Sequence, residues 1–183
     1  MRKIVVMIGS DSDLPQCEAG FNYLLEAEKK GMAKVVNVIT NSIHRNTMDT
    51  IMNLNDLAGR SECCADVLIA GAGMANHLTG TADAYLRNYL KNDEIKVIGV
   101  AFKGKTGEDT LAAVLSIEKI PGTQVIFDRR DMVGSDGFLK ACELAVIGNL
   151  PEIKIPEGKS WNRRSLERAI EKMKEIKKEK GVK

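Results

Sequence analysis

Rings are scarce in this chain. Four Phe, three Tyr and one Trp make up 4% of its 183 residues, and only two histidines occur. So few aromatic faces leave little to stack on a flavin, which counts against a flavin protein. Net charge is small: 27 Lys plus Arg stand against 25 Asp plus Glu, a formal +2. That balance gives no whole-chain reason to expect nucleic acid or an acidic membrane as partner, although a compact anionic ligand stays open. The four cysteines, Cys17, Cys63, Cys64 and Cys142, lack metal-ligand spacing, and the adjacent Cys63-Cys64 pair is poor geometry for a bridge. They read as reduced thiols, and no metal is expected. No window approaches the roughly 20 apolar residues of a membrane helix. The opening run Ile4–Ile8 is too short for a signal peptide and ends in Gly9-Ser10-Asp11, so it reads as a first strand in a cytoplasmic protein.

What is present fits one soluble domain, with 44% hydrophobic and 28% charged residues. Short Ile/Val/Leu runs at Ile4–Ile8, Lys34–Ile39, Val67–Ala70 and Lys96–Phe102 alternate with helical patterns at Gln16–Lys30, Met48–Ala58, Gly80–Leu90 and Asp109–Lys119. A fifth strand is expected at Gln124–Phe127, then a helix at Gly137–Gly148. This is a βαβ series that closes a parallel sheet, and the near-continuous apolar strands imply helices on both faces. The domain is expected to span 1–158. Beyond it, 159–183 should form an amphipathic helix, Ser160–Lys180, whose apolar stripe of Leu166, Ile170, Met173 and Ile176 docks on its own domain or on a neighbouring subunit.

In an open parallel sheet, ligands gather beyond the carboxyl ends of the strands. The loop after the first strand, Gly9-Ser10-Asp11-Ser12-Asp13, offers hydroxyls for a phosphate and carboxylates for ribose hydroxyls, or simply caps a helix. After the second strand come Ser42, His44 and Arg45, an imidazole beside a planar cation suited to phosphate. After the third come Gly71, Ala72, Gly73, Met74, Asn76, His77, Leu78 and Thr79. Both histidines thus fall at one edge of the sheet with the Ser/Asp loop, which favours an active site there. No dinucleotide fingerprint, phosphate-binding lysine loop, serine elbow or zinc spacing occurs, so proton transfer is the chemistry left.

Together Gly9-Ser10-x-Ser12-Asp13, Ser42-x-His44-Arg45 and Ala70-Gly71-Ala72-Gly73…His77-Leu78-x-Gly80 resemble, in order and spacing, three loops of the phosphoribosylaminoimidazole carboxylase catalytic subunit family, over about Lys3 to Phe127. The resemblance implies a flavodoxin-like three-layer α/β/α fold and a homo-octamer that binds a ribonucleotide between subunits, without cofactor. It implies that His44 is the catalytic acid/base. Ser10, Asp13 and Arg45 would bind the nucleotide, with Asp11, Ser42, Leu78, His77 and the Gly71–Gly73 backbone around the same pocket. The His-Arg and His-Leu-x-Gly pairs look like the subtype that moves a carboxylate from N5 of the aminoimidazole ribonucleotide to C4. Alternatives are direct carboxylation by CO2, a paralogue for another phosphorylated heterocycle, and a non-catalytic nucleotide-binding module. The family usually has Pro where this chain has Thr47 and Thr79, and small residues where it has Met74 and Asn76; these replacements are expected to alter the loop nearest the transferred carboxylate.

Overall fold

The computed structural model describes residues 1–59, 64–158 and 161–181. Four parallel strands make the sheet: β1 (Arg2–Ile8), β2 (Ala33–Thr40), β3 (Val67–Ala72) and β4 (Lys96–Ala101), in the order β2-β1-β3-β4. The order reverses direction between β1 and β3, so the loops leaving these strands flank a crevice.

Strand periodicity divides the core. Ile4, Val6 and Ile8, with Val67, Ile69, Ile98 and Val100, face α1 (Glu18–Lys29) and α5 (Gly134–Ile147). Val5 and Met7, with Leu68, Ala70 and Val97, face α2 (Thr47–Ala58) and α3 (His77–Ala84). Alternate residues of a strand point to opposite faces, so runs apolar at every position are what a sheet sandwiched between helices requires. Gly20 in α1 admits Phe138 of α5, whose ring also meets Phe21 edge-on at 5.3 Å. Next to β4, α4 (Gly107–Glu118) lays Ala113, Val114 and Ile117 against Ala101. These three layers are the α/β/α arrangement expected from the sequence.

Helix α3 runs on into a wider π turn at Tyr85–Tyr89. There Arg87 and Asp83 form a buried ion pair at 3.1 Å. Arg87 also donates to the carbonyls of Asn92 and Ile95, while Asp83 accepts from Gln124 N and the Thr123 hydroxyl.

The fifth strand is reduced to single-residue bridges, Ile98 with Ile126 and Ala101 with Val133. Gln124 N is drawn to Asp83, and its side-chain amide brackets the Lys154 backbone at 2.6 and 2.7 Å, which holds the chain off the ladder ahead of Ile126. The Cys17, Cys64 and Cys142 thiols are free, whereas Cys63 lies outside the described residues, as does Ser160, the expected start of the last helix. That helix, α6, runs Leu166–Glu179 behind a Ser165 cap and buries no side chain against the domain. Among the described residues no helix is long and apolar enough to cross a membrane.

Candidate active site

Single backbone hydrogen bonds stitch the loops together just past the strand ends: Asn41 N to Ile8 O (2.8 Å), Gly9 N to Gly71 O (2.9 Å) and Phe102 N to Ala72 O (3.0 Å). Gly9 is required by packing, because a Cβ there would meet the Ala72 Cβ at 2.6 Å. A cleft of about 450 Å³ opens above these bonds.

The first loop folds as a 3-10 turn, Asp11–Cys17, capped by Ser10, whose Oγ accepts from Ser12 N (3.3 Å) and from the Ser12 hydroxyl (3.0 Å). With three residues per turn, Ser10 and Asp13 share a row and Asp11 turns aside. Accordingly Ser10, Ser12 and Asp13 line the main cleft, whereas Asp11 borders a polar side pocket with Asn41, Ser42 and Arg45. Asn41 holds a buried carboxamide oxygen with no hydrogen-bond partner among the described residues. Asp13 Oδ2 accepts from Gly73 N at 3.3 Å. Burial pushes the Asp13 carboxyl above its ordinary value, partly countered by that N–H. Beneath it, burial first and the Asp13 charge second push the Cys17 thiol up to about 12.

After β2 the chain turns sharply, with Arg45 N and Asn46 N both donating to Ser42 O. Ile43 plugs the core and leaves its neighbours His44 and Arg45 exposed on the cleft wall. Thr47 starts α2 and donates its hydroxyl to Ile43 O at 2.6 Å. His44 Nε2 lies 2.7 Å from His77 Nδ1, with the rings edge to face at 4.9 Å. At that separation one nitrogen carries the hydrogen and the other accepts it, so the pair holds a proton between two rings.

From the third loop, Ala72, Gly73, Met74, Ala75 and Leu78 line the cleft. Gly71 does not: it is buried in β3, paired with Ile8 and Val100, where a Cβ would meet the Phe102 ring at 2.7 Å. His77 reaches the cleft through His44 and itself borders a groove between α3 and α4. Met74, at a positive φ of 52°, stands 63% exposed between the main cleft and a neighbouring one lined by Gln16, Lys103 and Lys105. Asn76, one of the replacements expected to alter the loop nearest the transferred carboxylate, is fully buried. Ser12 belongs with the site residues read from the sequence; its place in the hydroxyl-rich loop was the available signal.

The model of the AIR carboxylase family matches residues 3–127. The chain belongs to the AIR carboxylase family. A family relative, the N5-carboxyaminoimidazole ribonucleotide mutase of Pyrococcus abyssi (strain GE5 / Orsay), is 34% identical over 160 residues, spanning 86% of this chain and 78% of the relative. The crystal structure of Treponema denticola PurE shares the fold with a TM-score of 0.53 at 15% identity, over 79% of this chain and 86% of that one. The family match covers all three loops and stops at Phe127, one residue past the Ile98–Ile126 bridge at the sheet's far edge.

Proposed function

We propose that the chain is an isomerase of purine biosynthesis that converts N5-carboxyaminoimidazole ribonucleotide into 4-carboxy-5-aminoimidazole ribonucleotide, the activity for which the Pyrococcus relative is named. The observation that carries this reading is the His44 imidazole, paired with His77, on the wall of a cleft that also presents Arg45, Ser10, Ser12 and Asp13.

Arg45 and the Ser10, Ser12 and Ser42 hydroxyls offer donors to the phosphate, and Asp13 an acceptor to the ribose hydroxyls. In the first step protonated His44 gives its proton to N5; the N–C bond breaks, and the carboxylate departs as CO2. The electron-rich aminoimidazole then attacks CO2 through C4, forming the new C–C bond. Neutral His44 removes the C4 proton, which restores the aromatic ring and returns His44 to its starting state. Atoms and charge balance over the cycle with no oxidant, ATP or cofactor. An imidazole suits both halves because it gives and takes protons near neutral pH. Between the steps, the apolar wall of Ile43, Ala72, Ala75 and Leu78 offers CO2 a place away from water. Within the Gly71–Gly73 backbone, the Gly73 N–H already donates to Asp13.

We further assign the chain to the cytoplasm, which its free Cys17, Cys64 and Cys142 thiols support. We also assign a homo-oligomer, the octamer of the family resemblance, which the uncovered apolar stripe of α6 supports.

The test separates chemistry from binding. His44→Asn should cut turnover by about 10²–10⁴-fold while nucleotide affinity stays near that of the parent. Arg45→Ala should chiefly weaken affinity. Equal loss of both quantities in either variant would undo the two assignments.

A further inference from the structure

His77 is the first residue of α3, and the two residues that fix this helix start are wholly buried. Asn76 and Thr79 are both 0% exposed. Asn76 caps the helix: its Oδ1 accepts from Thr79 N at 3.2 Å and lies 2.9 Å from the Thr79 hydroxyl. Its Nδ2 donates to Val100 O at 2.8 Å, near the end of β4. The Thr79 hydroxyl also lies 2.9 Å from Ala70 O, in β3. The partners settle the amide's orientation, because only the nitrogen can donate to Val100 and only the oxygen can accept from Thr79. Two side chains therefore tie the first turn of α3 to the carboxyl ends of two adjacent strands, with His77 between them in sequence.

A simple helix cap needs only the acceptor facing Thr79 N. The bonds to Val100 and Ala70 do more, since they fix where the helix start sits on the sheet. What projects from that start is the exposed His77 ring, whose Nδ1 lies 2.7 Å from His44 Nε2. On the other side of the contact, the His44 turn is anchored separately through the buried Ile43. Two independently held backbones thus meet in one hydrogen bond, and its length depends on both anchors.

We propose that Asn76 and Thr79 are positioning residues: their buried latch to Val100 and Ala70 holds His77 in hydrogen-bonding register with His44. This rests on the reading of His44 as the proton carrier. The latch acts through the His44–His77 contact and touches no substrate. Misplacing a group by about 1 Å costs up to about 10²-fold in rate. Asn76→Ala and Thr79→Val should therefore lower kcat by roughly tenfold or more with KM little changed, and Thr79→Ser should restore it. The loss must run through His77, so adding Asn76→Ala to His77→Ala should cost little more than His77→Ala alone. The pH–rate profile of Asn76→Ala should take the shape of the His77→Ala profile.

Imidazole nitrogen NMR of the ligand-free chain supplies a readout that needs no substrate. The coupled His44–His77 signals should be lost in Asn76→Ala and Thr79→Val and kept in Thr79→Ser. Wild-type kcat and intact imidazole signals in folded Asn76→Ala, or losses that add in full to those of His77→Ala, would overturn the proposal. Should Asn76→Ala not fold, the Thr79→Val and Thr79→Ser pair decides on the same readouts. A parent protein without turnover, but whose imidazole signals respond to the variants as described, would refute the reading of His44 and leave the latch standing.

Discussion

Asp13 is a carboxylate half-buried between its own 3-10 turn and the Gly73 amide, directly above the Cys17 thiol. Burial raises its proton affinity in the fold above that in the unfolded chain. Its contribution to stability is therefore present at low pH and is lost as pH rises through the folded value. At neutral pH the fold holds a desolvated charge, as a site built for ligand hydroxyls does. Asp13→Asn keeps an acceptor for Gly73 and removes the charge. It should raise the melting temperature at pH 7, with the gain shrinking as pH falls and the parent carboxyl takes up its proton, and it should weaken nucleotide binding. Melting curves across that range check it; a lower melting temperature at pH 7, or a gain confined to acid pH, would contradict it. The placement of these side chains was partly legible in the sequence. Ser10, Asp13, His44 and Arg45 could be picked out because parallel strands bring their loops to one edge, whereas the aside turn of Asp11 and the burial of Gly71 depend on 3-10 periodicity and ring packing that spacing does not carry. The replacements at Asn76 and Thr79 were visible as separate oddities. That they hydrogen-bond to one another, and not to a ligand, follows only once α3 is seated on β3 and β4.

Among the elements, the four strands follow from their apolar runs, and the helix starts are where the reading slips. The helix expected from Gly80 begins at His77 and the one expected from Gly137 begins at Gly134, because the first turns, His77-Leu78-Thr79 and Gly134-Ser135-Asp136, hold too few apolar residues to show a period. The expected fifth strand has the right composition, but Asp83 captures Gln124 N before a ladder can extend. Asp83 and Arg87 are four apart on a helix, a spacing that on a surface would be an ordinary ion pair. Here both are buried, and burial pulls the Arg87 guanidinium below its ordinary value while Asp83 opposes that shift. Removing one partner strands the other charge, so Asp83→Ala should destabilise the fold by about 3–5 kcal/mol and loosen the loop to Gln124. Denaturant melts test this, and a loss below about 1 kcal/mol would mean the pair behaves as an exposed one.

On the scale of the whole molecule, the cleft sits at the carboxyl edge of the sheet, and the last helix, α6, has no buried residue. Leu166, Ile170, Met173 and Ile176 of α6 are 72%, 41%, 45% and 39% exposed, an apolar stripe along one side of a charged helix. The sequence showed the stripe and left two destinations for it; in the fold its four residues stay exposed. Light scattering should accordingly return a multiple of the 20.1 kDa chain mass, and a monomer would contradict the oligomer assignment. Purified protein mixed with N5-carboxyaminoimidazole ribonucleotide, without ATP or added bicarbonate, should yield the C4-carboxylated nucleotide. Product formed solely from aminoimidazole ribonucleotide and bicarbonate, or from neither substrate, would contradict it.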